Sequence, residues 1–423
     1  MTSDSEIFTT PGVRHRWTGV SARNNQDDGG VTLEIFDARF AAQPWPTLRR
    51  LRADGGVHRV RTPDGPPAWL VTRFADVRAG LFDHRLSTQP RYAGGTDYRG
   101  FVVPPPLDAA FLESEPDDHA RLRRSVTAEL SPRRLADWAR TAPELVEACL
   151  GAVETGVQID LVERFAVPLP AAVLGELLGL AAPERDALLR WAHSTLLPSA
   201  TPPRARDTLT TMRDIVLATI DRARNTKGDN VLGRLVASSD ETGSPSAYEL
   251  AGMIFYLLFV WYEVLVDLVA GSALALLTHP DQVDVLRGAS DTRTAVEELL
   301  RYLSPQVVSG PRFATTDLDI AGHTIGSGQT VLLCIASANH DPEIFDDPAE
   351  LDLARVDNPH LGLGHGVHSC LGTALVRTIT SAVLDRLFIA RATATLACDA
   401  QSIQWRSGFR HRGPVALPVV LAR

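Results

Sequence analysis

A chain of 423 residues, 44% apolar and 22% charged, can bury the core of one large domain or of two or three average ones. Its net charge of −9 argues against a general nucleic-acid binder, which would be basic overall. Its four cysteines, Cys149, Cys334, Cys370 and Cys398, include no C-x-x-C pair, which predicts free thiols in a reducing compartment and not a disulfide framework.

Residues 1–35 are polar and rich in Gly, Asn and Asp, which predicts a loose arm. The opening MTSDSEIFTTPG carries no apolar leader core, so a cytoplasmic protein is expected. Val57–Arg61 and Ala68–Thr72 flank the turn TPDGPP and predict a hairpin. Phe74–Phe82 has helical spacing, and the Gly-, Pro- and Tyr-rich stretch 88–115 predicts a long functional loop. Helical patterns follow at 117–129, 132–150, 160–179, 182–196, 203–224 and 246–277. The last holds an apolar run from Met253 to Trp261 that Glu263 and Asp267 break, which predicts a buried core helix and not a bilayer span. Helices at 280–288 and 291–303 end at Ser304-Pro305. Period-two strands fill 306–335, a Pro- and Asp-rich meander occupies 339–360, a helix returns over 371–389, and the tail 393–422 is strand-like. No stretch reads as an interdomain linker. The expectation is a mainly α fold with small β-sheets near its two ends, built as one large domain over 36–423.

The chemistry is concentrated in the loop His360-Leu-Gly362-Leu363-Gly364-His365-Gly366-Val367-His368-Ser369-Cys370-Leu371-Gly372. Four glycines fall within its last eleven residues, so the backbone can turn tightly and let another group come close. Cys370 sits just before a predicted helix, where backbone N–H groups can stabilise a sulfur anion. A thiolate there suits a nucleophile, with His365 or His368 as base, or a metal ligand. Paired ligand spacing for zinc is lacking. A single thiolate beneath a planar iron cofactor needs no second protein ligand from the loop, and it favours O–O cleavage.

Gly364-x-Gly366-x-His368-x-Cys370-x-Gly372 resembles the haem-binding signature of the cytochrome P-450 family. Three further stretches resemble family motifs in the same order over about residues 35–420. They are His119-Ala-Arg-Leu-Arg123, Glu298-Leu-Leu-Arg301, and Asn339-His-Asp341-Pro342 at the start of the meander. The resemblance implies a cytochrome P-450 fold with haem b held between the long central helix and the Cys370 loop. Cys370 would be the axial ligand, with His119, Arg123, Arg312 and His368 on the haem propionates. Glu298 and Arg301 would be a structural pair, whose third member is left open between the neighbourhoods of Glu350 and Arg355.

The resemblance further implies a bacterial monooxygenase acting on a small organic molecule, such as a secondary metabolite. Ferredoxin and its reductase would supply electrons, docking on a basic patch drawn from Arg121, Arg124, Arg133, Arg134 and Arg377. Neither a nucleic acid nor a membrane is expected as partner. The substrate pocket is expected among the 88–115 loop, Phe259, Val307, Val308, Ser309, Phe409 and Arg410.

The central helix departs from the pattern. Where the family carries a Gly, an acid and a Thr for proton delivery, this chain has Trp261, Glu263 and Val264. Valine keeps the shape of threonine but cannot hydrogen-bond, and Trp261 adds bulk where the helix normally opens. Three consequences stay open: hydroxylation with help from a substrate hydroxyl or water, a non-standard oxidation such as ring closure, coupling or rearrangement, and service as a haem-binding partner of another biosynthetic enzyme. Leu363 stands where the family favours Phe beside the sulfur, which bears on the iron potential.

Overall fold

The computed structural model of this chain describes residues 32–100, 103–108, 116–198, 205–390, 394–406 and 409–422. Its centre is the helix Ala247–Thr278, 32 residues long. Ser246 and Glu249 close its N-terminus with a reciprocal capping box, the Ser246 Oγ accepting from the Glu249 N–H and the Glu249 carboxylate from the Ser246 N–H. By length and composition this helix could cross a membrane, but 72% of its apolar window is buried inside the fold. It is the core helix that its broken apolar run predicts, apolar on nearly every side because neighbours surround it.

Helices Pro168–Leu178, Ala205–Thr226, Val231–Thr242, Arg293–Leu303 and Thr373–Leu384 pack directly against this central helix, Pro132–Gly151 packs on Thr373–Leu384, and Pro116–Glu129 and Ala182–Leu196 pack on these outer helices. The sheet near the N-terminal end pairs Val57–Arg61 with Pro67–Val71 in the predicted hairpin. Pro67–Val71 continues in parallel to Thr330–Leu333, and Arg312–Ala314 and Leu86–Ser87 complete the edge. That sheet therefore joins residues about 270 apart in sequence, and it delivers Arg312 to the interior. A second sheet joins Gln158–Asp160, Pro418–Leu421 and Ala394–Leu396. The mainly helical architecture with small sheets is the expected one.

The differences lie at boundaries. The predicted helix 160–179 divides into a strand ending at Asp160, a π turn Val162–Ala166 and a helix beginning at Pro168. Proline at the first helical position lacks only an N–H that has no intrahelical partner there, so it opens a helix well. The helix Val231–Thr242 was not legible as a separate element. Asn230 caps it by accepting from the Gly233 N–H, and Gly243 ends it in the left-handed region at φ 69°. The helix after the cysteine loop begins at Thr373, two residues later than expected, and gives way to a π turn at Asp385–Ile389.

The loose arm is a correction at its inner end. Leu33 exchanges backbone hydrogen bonds with Arg59 and Arg61, and Ile35 is buried in the core. The rest of the predicted arm lies outside the described residues, as do 101–102 and 109–115 of the predicted loop. The described part of that loop is pinned. Tyr98 is buried and its carbonyl accepts from the Thr330 hydroxyl at 2.6 Å, while Asp97 pairs with Arg59.

Candidate functional site

The loop carrying Cys370 is shaped by glycine at two positions and by a rigid hydrogen-bond frame. Gly364 and Gly366 adopt φ of 70° and 73°, a region that costs other residues a steric penalty. The Cys370 N–H donates to the Leu363 carbonyl at 2.8 Å, and the Thr373 hydroxyl donates to the Cys370 carbonyl at 2.8 Å. Burial pushes the Cys370 thiol up, against the lowering effect of the Gly372 N–H, the Thr373 hydroxyl and the charges of Arg123 and Arg377. The helix-start donors thus act as expected but do not win alone. A positive ion at the sulfur is what would favour the thiolate fully.

Two guanidiniums and two imidazoles gather around this loop. His119 and Arg123 come from one face of Pro116–Glu129, Arg312 from the sheet, and His368 from the loop itself. Arg123 Nη2 donates to the Ser369 carbonyl at 2.8 Å and to its hydroxyl at 3.0 Å. The His119 and His368 rings lie 4.4 Å apart. Burial lowers His119, and Arg123 and Arg312 lower it further. His368 falls to about 3, through burial first and then Arg312, His119 and Arg123. Burial brings Arg312 down to about 10. Arg312 Nε and His368 Nδ1 are buried with no hydrogen-bond partner among the described residues.

A buried group of mutually repelling donors calls for anions. Two carboxylates held there would take up the orphaned donors, and the free sulfur of Cys370 lies on the same loop. The residues therefore fit a haem whose iron meets Cys370 and whose propionates meet His119, Arg123, Arg312 and His368. One side chain stands in the way: the Trp261 indole lies directly against Gly372.

Behind the loop, Glu298 and Arg301 are fully buried. The guanidinium gives Nε and Nη2 to the two Glu298 oxygens at 2.7 Å each. Its remaining donors go to the carbonyls of Asn339, Pro348 and Glu350 at 2.8 to 3.0 Å. The third member of the cluster is Arg355, whose Nε lies 3.2 Å from Glu298 Oε2, whereas Glu350 contributes only its backbone carbonyl.

The central helix passes residues 260–265 without interruption, so no opening forms at Trp261. Glu263 does not face a hydroxyl. Its Oε2 meets His411 Nδ1 at 3.1 Å. Burial alone would raise the Glu263 carboxyl, but the hydrogen bond from His411 and the charges of His411, Arg410 and Arg406 hold it below its ordinary value. One turn on, Asp267 pairs with Arg406. Sequence reasoning missed this clamp, since its partners lie more than 130 positions apart and neither half forms a motif.

The expected pocket residues divide. Val307, Val308 and Phe409 share one apolar cluster, where Phe409 meets Phe36 and Tyr98 edge-on, and the Val307 N–H donates to the Arg410 carbonyl at 2.8 Å. Phe259 belongs to the large helical core, stacked on Phe255.

Of the arginines expected on a docking face, Arg121 is paired with Asp118 and Glu249, and Arg377 with Glu297 at 2.6 Å. Burial, which raises Glu297, is outweighed by His360 and Arg377, which bring it down to about 2. A carboxylate lowered on folding adds stability above about pH 4.5, its unfolded value, and loses it as pH falls towards 2. Glu297→Gln should therefore flatten the acid limb of the stability profile between those values, as urea midpoints at stepped pH would show. An unchanged acid limb would refute the assignment.

The family model described as cytochrome P-450 matches residues 292–388. The chain is 37% identical to the cytochrome P-450 monooxygenase PikC of Streptomyces venezuelae, over 92% of this chain and 94% of that one. It is 34% identical to the 6-deoxyerythronolide B hydroxylase of Saccharopolyspora erythraea, over 90% and 97%. Among solved structures, the tirandamycin C-bound monooxygenase TamI superposes with a TM-score of 0.83 at 33% identity, covering 92% of this chain and 99% of that one.

Proposed function

The chain belongs to the cytochrome P-450 family, and we propose from its site that it is a haem-thiolate monooxygenase that oxidises a bacterial secondary metabolite of the polyketide kind. The observation that carries this reading is the free sulfur of Cys370 on a glycine-shaped loop beside two guanidiniums and two imidazoles, among which Arg312 Nε and His368 Nδ1 are buried with no hydrogen-bond partner among the described residues. Of the similar proteins, one is a hydroxylase of 6-deoxyerythronolide B, one is bound to tirandamycin C, and one, from Bacillus subtilis, serves polyketide biosynthesis. The substrate class comes from that likeness.

When bound, haem b supplies the one-electron and dioxygen chemistry. The protein's own residues do the rest. Arg312, Arg123, His119 and His368 would hold the propionates, and Cys370 Sγ would be the thiolate donor to the iron. Glu263 stays ionised and accepts a hydrogen bond from His411 Nδ1, so an acid–imidazole pair stands where the family has an acid–alcohol pair. Electrons come from a ferredoxin and its reductase, the donors that the resemblance implies. Arg124, Arg133 and Arg134 form the docking patch, and the protein works in the cytoplasm.

The test is an absorption spectrum of the purified, haem-loaded protein, reduced under carbon monoxide. A thiolate-type band is expected. An imidazole-type band would sink the reading. Turnover on a panel of macrolactones with a ferredoxin system then addresses the substrate class. Val264→Thr, which restores the hydroxyl beside Glu263, should raise the yield of product per electron pair if proton delivery limits the wild type. Identical rate and coupling would make residue 264 irrelevant. That result would favour an oxidation such as ring closure or coupling, where delivery through this position matters less.

A further inference from the structure

Trp261 reaches from the central helix to the cysteine loop. A Cβ placed on Gly372 would lie 2.5 Å from the indole Cζ2, 2.7 Å from Cε2 and 3.2 Å from Cη2. Gly372 has φ −84° and ψ 14°, a conformation open to ordinary residues, so what the missing side chain provides is space, and the indole takes it. Neither wall of this contact can retreat easily. The loop is fixed by the Cys370 N–H on Leu363 and by Thr373 on the Cys370 carbonyl. The helix is fixed next door by Tyr262, whose buried hydroxyl donates to the Val167 carbonyl at 2.6 Å. The side-chain torsions of Trp261 are the soft coordinates.

Gly372 lies two residues from Cys370 on the same loop, so a porphyrin reaching the Cys370 sulfur would need the space beside it. We propose that the Trp261 indole and haem are alternative occupants of the face of Gly372, so that this side chain sets how tightly the chain holds its cofactor. The proposal rests on the haem-thiolate reading. Only the fraction of molecules with the indole turned away accepts haem, and apparent affinity falls in proportion to that fraction. An indole contact of this size shifts such an equilibrium by about 10- to 100-fold.

The experiment is a thermodynamic cycle on the full chain. Haem is titrated into haem-extracted wild type, Trp261→Leu and Trp261→Ala, and the melting temperature of each is recorded with and without haem. Leucine keeps a helix-favouring apolar side chain but is too short to reach Gly372, so it serves if the alanine variant folds poorly. Competition predicts apparent haem dissociation constants about 10- to 100-fold lower in both variants. It also predicts melting temperatures lowered in the haem-free proteins and restored relative to wild type in the loaded ones. A tryptophan that is merely core packing would lower both forms alike and leave the haem affinity unchanged or weaker, and either result overturns the proposal. The two failures are distinguishable. Equal haem affinity with a thiolate-type spectrum removes the competition alone, whereas an imidazole-type spectrum removes the haem-thiolate reading and the competition with it.

Discussion

Arg301→Lys keeps the positive charge and is nevertheless expected to lower the unfolding free energy by about 3 kcal/mol or more, measured by urea or thermal unfolding. The reason is a count of donors. The five N–H groups of the guanidinium meet five acceptors: both Glu298 oxygens and the carbonyls of Asn339, Pro348 and Glu350. A lysine ammonium has three donors at one point and would leave at least two of these five acceptors without it, although each Glu298 oxygen keeps a further donor, from the Asp352 N–H or the Asn358 amide. Each bare acceptor costs about 1–3 kcal/mol. Arg301→Leu is worse, because the fully buried Glu298 would keep Arg355 as its one cation among the described residues, helped by the Asp352 N–H and the Asn358 amide. Against a typical stability of about 5–15 kcal/mol, the leucine protein should accumulate mostly unfolded. A lysine protein within about 1 kcal/mol of wild type would mean that the cluster relaxes or admits water.

Cys370→Ser is expected to abolish the thiolate-type band and all dioxygen-dependent turnover while the fold survives. The Cys370 side chain accepts lowering contacts from Gly372 and Thr373, and a hydroxyl can make the same contacts at similar volume. The two guanidiniums and two imidazoles are untouched, so the serine protein should still take up haem, now with a spectrum lacking sulfur ligation. Arg312→Leu complements it. That change removes the most enclosed of the cations and should weaken haem uptake without altering the kind of spectrum. If the serine protein kept a thiolate-type band, another cysteine would have to be the ligand. Cys334 is buried against the sheet with its thiol pushed up to about 12 by burial, which makes it a poor substitute.

The parts of this protein that were legible from sequence are those whose cause is local. The long helix announced itself by an apolar run broken at Glu263 and Asp267, the hairpin by its TPDGPP turn, and the ligand loop by its glycines. The gathering of His119, Arg123, Arg312 and His368 was legible only through resemblance, since nothing local says that Arg312 and His119, 193 positions apart, meet around one loop. The third member of the Glu298–Arg301 cluster was not decidable because the meander has no periodicity, and only its path brings Arg355 and not Glu350 inward with its side chain. The His411 and Arg406 partners of the central helix were invisible for the same reason. Trp261 was visible as an anomaly, but its direction depended on where the indole finds room, and that is a property of Gly372.

The strap between the central helix and the C-terminal segment bears on how this protein can be re-engineered. Glu263 and Asp267 sit one helical turn apart and grip His411 and Arg406 on a stretch that also carries Phe409 against Val307 and Val308. Substrate-binding segments of related oxidases are attractive modules for swapping. Here a graft of 405–413 from a relative lacking these two cations would strand two carboxylates in the interior, so the graft and the helix positions 263 and 267 must travel as one unit.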